Sequence, residues 1–127
     1  MATQLAARLA AVASRSTCRL VHYGRKTGKA YEVTIWFMVE GETVYLATAN
    51  ASRQWVRNVR ARPQVKLRVA GEEFTGEAAE VTEPTARAHV TELVTQKYWY
   101  VGPLLWLLGL FLSNPGPDAS FRVRIAT

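Results

Sequence analysis

Gly24-Arg25-Lys26-Thr27-Gly28-Lys29 is the segment of this chain whose residue types and spacing most plainly suit chemistry. Two glycines let backbone N–H groups approach an oxyanion, while Arg25, Lys26 and Thr27 bring charge and a hydroxyl donor, so the turn reads as an anion cradle. A second basic group lies at Arg53, Arg57 and Arg60, spaced by four and three, which places the three side chains on one face of a helix whose N-terminus adds a fixed positive dipole. A solvated hairpin loop and a solvated helix face are the plainer readings of each cluster taken alone. Together they point to a phosphate-bearing ligand: three charge-assisted contacts at roughly 1.5 to 3 kcal/mol each are enough for micromolar binding.

Other chemistries lack material. His22 and His89 are the only histidines and have no helix spacing to acidic or cysteine partners, so no metal site is expected and both read as structural or solvated. Asp118 is the only aspartate and no G-x-S-x-G elbow is present, which leaves little for a Ser-His-Asp triad. Gly24 and Gly28 have the wrong spacing for a P-loop or a dinucleotide fingerprint.

The elements that must position these residues follow from periodicity. Residues 19–23 form a strand that ends at the basic turn, and Val33, Ile35, Phe37 and Val39 alternate with more polar neighbours up to Glu40-Gly41-Glu42, beyond which Val44-Tyr45-Leu46 resumes the pattern as a hairpin. Residues 52–62 switch to a helical pattern, with Ser52 as cap, Trp55, Val56 and Val59 on one face, and Pro63 as the stop. Strands over 64–69 and 73–81 are joined through Gly71. Thr82 is expected to cap a further helix with Pro84 in its first turn, and Phe121, Val123 and Ile125 alternate as a sixth strand. The N-terminal AARLAAVAS reads as a short amphipathic helix rather than a secretory leader. The expected fold is α+β, mainly β: a single-domain six-stranded antiparallel split β-barrel over 1–127 with two to four short helices.

Composition agrees. The 127 residues are 49% hydrophobic and 20% charged, an ordinary globular balance that needs no staple. The formal charge of +6 favours anionic partners. Cys18 is the only cysteine, reads as a buried filler, and fits a reducing, cytoplasmic setting. The apolar stretch 101–112 contains Gly102, Pro103 and Gly109 and is well short of the ~20 residues a spanning helix requires. With Trp99, Trp106 and Phe111 close together, the region from 98 to 112 suits core cover, a homodimer interface, a peripheral membrane-surface contact or the wall of a pocket for an apolar acceptor.

A strand ending in GRKTGK, a hairpin containing IWFMVEGETVYLATA and then WVRNVRARPQVKLRV together resemble the deazaflavin-dependent nitroreductase family, split β-barrels related to the pyridoxamine-phosphate oxidase and flavin-reductase barrels. The resemblance covers about half the chain. It implies coenzyme F420 as cofactor, with FMN as the runner-up, and hydride transfer from the reduced deazaflavin to an apolar acceptor such as a quinone, nitroaromatic or enone. It further implies that Arg25, Lys26, Thr27 and Gly28 hold the phosphate and glutamate portion of the cofactor, with Trp55 and Asn58 of the W-x-x-N pattern beside them. Backbone at Ala47, Thr48 and Ala49 would face the deazaflavin ring, and Tyr98 and Tyr100 would stand beside the acceptor as proton donors or orienters. Two other readings stay open: a non-catalytic binder of a flavin, haem or fatty acid, and a basic barrel that grips single-stranded nucleic acid, against which the most aromatic segment, 98–106, carries no cation.

Overall fold

The computed structural model describes residues 3–99 and 119–126. Six strands close into an antiparallel barrel in the order β1-β2-β3-β6-β5-β4: β1 (Cys18–Tyr23), β2 (Ala30–Glu40), β3 (Thr43–Thr48), β4 (Gln64–Val69), β5 (Glu72–Glu80) and β6 (Ala119–Ile125). The alternation legible in the sequence sets the two faces. Leu20, Ile35, Phe37, Val44, Leu46, Leu67, Phe121 and Val123 fill the interior. Trp36, Met38, Tyr45 and Ala47, one position out of phase, face away from it. Closure leaves no exposed sheet edge among the described strands.

Among the described residues three helices dress the barrel: α1 (Gln4–Val12), α2 (Gln54–Ala61) and α3 (Pro84–Lys97). In α1, Leu5, Leu9 and Val12 recur at helical spacing and join the main core, while Arg8 reaches Glu72 at 3.2 Å. In α2, Trp55, Val56 and Val59 are buried in that core, with the Trp55 ring 5.6 Å from Phe121. Its capping differs from expectation. Arg53, not Ser52, occupies the N-cap position and, having only donors, makes no side-chain cap, while Asn50 Oδ1 captures both the Ser52 amide and its hydroxyl. Glu83 likewise replaces Thr82 ahead of α3, with Pro84 at its first turn. The second apolar cluster, Met38, Tyr45, Ala47, Val81, Val90 and Tyr98, lies between the barrel's outer face and α3.

Tyr98 explains how α3 is fastened. The β1–β2 ladder stops at Cys18↔Ile35, so the backbone of Phe37, two residues on, has lost its β1 partner. The Tyr98 hydroxyl takes that place: it accepts from the Phe37 N–H at 3.3 Å and donates to the Ser16 carbonyl at 2.6 Å, with the Phe37 carbonyl at 3.1 Å. Lys97 Nζ donates to the same Phe37 carbonyl at 2.7 Å and stands 3.7 Å from the Phe37 ring.

Cys18 is buried, as read from the sequence. Burial pushes its thiol up to about 12 against the opposing pull of the Lys97 ammonium. At about pH 8 the thiolate is then depleted roughly a thousandfold. Alkylation of Cys18 should therefore follow global unfolding rather than native-state chemistry; labelling that stays fast at denaturant concentrations far below the unfolding transition would refute the burial. Among the described residues no helix is long and apolar enough to cross a membrane. Tyr100, the 101–112 stretch with its proposed dimer or membrane contact, and Asn114 to Pro117 lie outside the described residues.

Candidate functional site

The two ends of β1 differ in charge arrangement, and the difference locates the site. At its start, a groove of about 420 Å³ is lined by Thr17, Arg19, Arg68, Gly71 and Glu73 among others. The cations there are spoken for: Arg19 pairs with Glu32, and Arg68 with both Glu32 and Glu73. At its far end the chain turns through residues 24–29 into β2, and no carboxylate among the described residues lies within ion-pair distance of Arg25, Lys26, Lys29 or Arg62. An uncompensated group of cations on a folded surface repels itself and is relieved by an anion.

The turn is built for close approach. Gly28 N–H donates to Gly24 O and Gly24 N–H to Lys29 O, both at 2.8 Å, closing the loop on itself. Thr27 Oγ1 accepts from Lys29 N–H at 3.2 Å. Gly28 sits at φ +74°, a left-handed conformation that side chains resist, and a Cβ there would come 3.3 Å from Arg62 Nη1. Arg62, just past the end of α2, thus lies against the turn. The amides of Lys26 and Thr27 find no acceptor among the described residues, leaving two adjacent donors at the tip of a cationic loop.

Asn58 locks this loop to α2. Fully buried, it accepts from the Arg25 amide at 3.3 Å and from Arg25 Nη1 at 2.8 Å on one side, and meets His22 Nδ1 at 3.0 Å on the other. His22 is itself 4% exposed, stacks on Tyr31 at 5.8 Å, and is held below its ordinary pKa by burial. His89, by contrast, is half-buried and meets Glu40 at 2.9 Å.

The structure therefore brings Arg25, Lys26, Thr27, Gly28 and Asn58 together, and separates others. Trp55 is 3% exposed and packs in the main core against Phe121 rather than presenting a face to solvent. Arg60 turns away to Glu80, at 2.7 Å. Ala47 sits within the ladder between Trp36 and Ser120, Thr48 closes onto Asn50 through its hydroxyl, and Ala49 is exposed at the start of the loop leading to α2. The Tyr98 hydroxyl is buried against backbone, and Tyr100 is not described. Arg62 is the member that the reading of the helix face overlooked. At about 100° per residue, Asn58 and Arg62 flank the buried arc of Trp55, Val56 and Val59, whereas Arg53, Arg57 and Arg60 lie on its far side, and that placement was the available signal.

The fold, a closed six-stranded antiparallel barrel, is shared with solved F420-dependent reductases. An F420 reductase matches at a TM-score of 0.64 with 22% identity over 92% of each chain, and an F420-H2 dependent reductase (FDR-A) at 0.64 with 19% identity over 86% of this chain and 94% of that one. A Listeria innocua chain described as a candidate pyridoxamine 5'-phosphate oxidase matches at 0.70, with 13% identity over 98% of this chain and 95% of the other. No curated protein matches. Residues 8–101 match the F420H(2)-dependent quinone reductase family, and the chain belongs to that family. It is thus an oxidoreductase whose cofactor is coenzyme F420.

Proposed function

We propose that this protein reduces quinones with coenzyme F420, holding the cofactor's phosphate and glutamate portion at the 24–29 turn. The observation that carries the placement is the group of cations without carboxylate partners around two free amides, at Lys26 and Thr27. Lys26 and Arg62 supply charge, Arg25 is held in place by Asn58, and Gly28 keeps the loop clear of a side chain where Arg62 approaches. Exposed Arg53 and Arg57 stand on the solvent row of α2, outside this group. The end of β3 at Ala47, Thr48 and Ala49 is the candidate floor for the ring. When bound in its reduced form, the cofactor supplies the hydride that, with one proton, takes a quinone to the hydroquinone.

The protein's own part is binding, orientation and exclusion of water. Tyr98 orients by pinning α3 to Phe37 and Ser16 rather than by giving up its proton, which already has carbonyl acceptors at 2.6 and 3.1 Å. Nitroaromatics and enones accept the same hydride and belong in the same substrate screen.

Titrating the purified protein with F420 while following the quench of the deazaflavin's fluorescence, with FMN in parallel, tests the cofactor assignment. Micromolar or tighter binding of F420 with FMN much weaker is expected, followed by oxidation of reduced F420 on adding a quinone. Binding of FMN alone would replace the deazaflavin assignment, and F420 binding without quinone turnover would remove the acceptor assignment.

A further inference from the structure

We infer that His22 is a positioning residue for the anion-holding turn: its unprotonated Nδ1 fixes the Asn58 amide in the orientation that seats Arg25, so the turn is set for its ligand only while the imidazole is neutral. This deepens the cofactor-turn assignment and rests on it.

Donors and acceptors must match at Asn58. Arginine has only donors, so the Asn58 atom that receives both the Arg25 amide and Arg25 Nη1 must be the carbonyl oxygen. Asn58 Nδ2 then faces His22, 3.0 Å from Nδ1, and can only donate to it. That requires Nδ1 to lack a proton, placing the ring hydrogen on Nε2. Protonating His22 sets N–H against N–H₂. The amide could turn over to present its oxygen to the imidazolium, but its NH₂ would then confront the two Arg25 donors. A charged His22 and a seated Arg25 therefore exclude each other. Asn58 is fully buried, so no water stands by to relieve the clash.

The surroundings favour the neutral ring. From β2, Tyr31 stacks on it, with Lys29 Nζ 5.9 Å from the centroid of the Tyr31 ring. The turn contributes Arg25, α2 contributes neutral Asn58 and, one helical turn on, Arg62. From β4, Lys66 stands opposite the neighbouring Val21, 3.9 Å from Glu73. Glu32 of β2 also stands opposite Val21, paired with Arg19 and Arg68, and burial holds the His22 pKa below its ordinary value. Because the folded-state value lies below the unfolded one, the neutral form is undisturbed above the unfolded value near 6.5, and both stability and turn geometry are lost as pH falls through the region below it.

The test compares wild type with His22→Asn, whose amide oxygen can accept from Asn58 and does not titrate. Kd for F420 is measured from about pH 8 downward, with each protein normalised at about pH 8; ionisations of the cofactor act on both alike and cancel in the ratio. The ratio of wild-type to variant Kd should rise roughly tenfold per pH unit below the His22 midpoint. His22→Leu, with no acceptor, should bind weakly at every pH while keeping its circular dichroism. Ring-nitrogen NMR of wild type should show the Nε2–H tautomer. A flat ratio, or an Nδ1–H ring, overturns the positioning role. If Arg25→Ala binds F420 as wild type does, the cofactor-turn assignment falls and takes this role with it; if Arg25→Ala weakens binding and the ratio is still flat, the positioning role falls alone.

Discussion

Replacing Arg25 and Lys26 together by alanine should weaken F420 binding by about 100-fold while leaving the unfolding midpoint nearly unchanged. Each side chain contributes one contact to an anion at a surface turn, where solvent screening cuts a charge-assisted bond to roughly a tenfold effect. Lys26 makes no hydrogen bond or ion pair among the described residues, so its loss should appear wholly in the ligand. Arg25 also satisfies Asn58, yet its backbone amide continues to donate there at 3.3 Å after truncation, which limits the structural damage. Isothermal titration at two salt concentrations reads the result. The wild-type affinity should fall with salt and the double variant's should fall less steeply, since Arg62 and Lys29 remain. An unchanged Kd would move the anionic tail away from the 24–29 turn, and a collapse of the melting temperature would make the variant uninformative about charge, in which case Lys26→Ala alone decides.

Most of the barrel was legible because closed antiparallel sheets enforce a period of two. Phe121, Val123 and Ile125 could be assigned to a strand without knowing their partners, since each must face the same interior as Leu46 and Val44. The helix caps were not legible for a physical reason. Ser52 and Thr82 are good capping residues, but a cap is decided by the local path of the chain, and Asn50 competes for Ser52 through a turn of its own. The site divides the same way. The 24–29 turn could be picked out because glycine spacing and cation density are local properties. Which row of α2 faces that turn is a tertiary property, and cations at i, i+4, i+7 drew attention to the row that faces solvent and Glu80. Nothing local signals that His22 and Asn58, 36 residues apart, share a hydrogen bond; only the β1 alternation, which puts His22 on the face of Leu20, hints that it points inward.

Gly76 gives the largest expected effect on stability, and its reason is geometric. It lies in the middle of β5, between Val65 of β4 and Ile125 of β6, where a Cβ would come 2.6 Å from the Arg124 carbonyl oxygen and 2.8 Å from Val123 Cγ1. A side chain could rotate aside; the Arg124 backbone cannot, because its residue is paired with Thr43 of β3 and Glu77 of β5 and so is held on both sides of the closed barrel. Gly76→Ala should therefore cost about 3 kcal/mol, in the range of overpacked cores, whereas Thr75→Ala on the exposed neighbouring position should stay within about 0.5 kcal/mol. Urea unfolding followed by circular dichroism measures both, and a cost under about 1 kcal/mol for Gly76→Ala would mean that β6 yields where the barrel closure says it cannot. The same variant connects fold to ligand. Gly76 pairs with Val65 of β4 and Ile125 of β6 rather than with β1, from which the 24–29 turn runs, so the folded fraction should bind F420 normally, and cofactor at about 100 times Kd should restore roughly 2.7 kcal/mol. Recovery with F420 and none with FMN would show that the destabilised barrel still assembles its cofactor site intact; recovery with neither would mean that strain at β6 reaches the turn through β5, Glu80 and the Arg60 pair that ties β5 to α2.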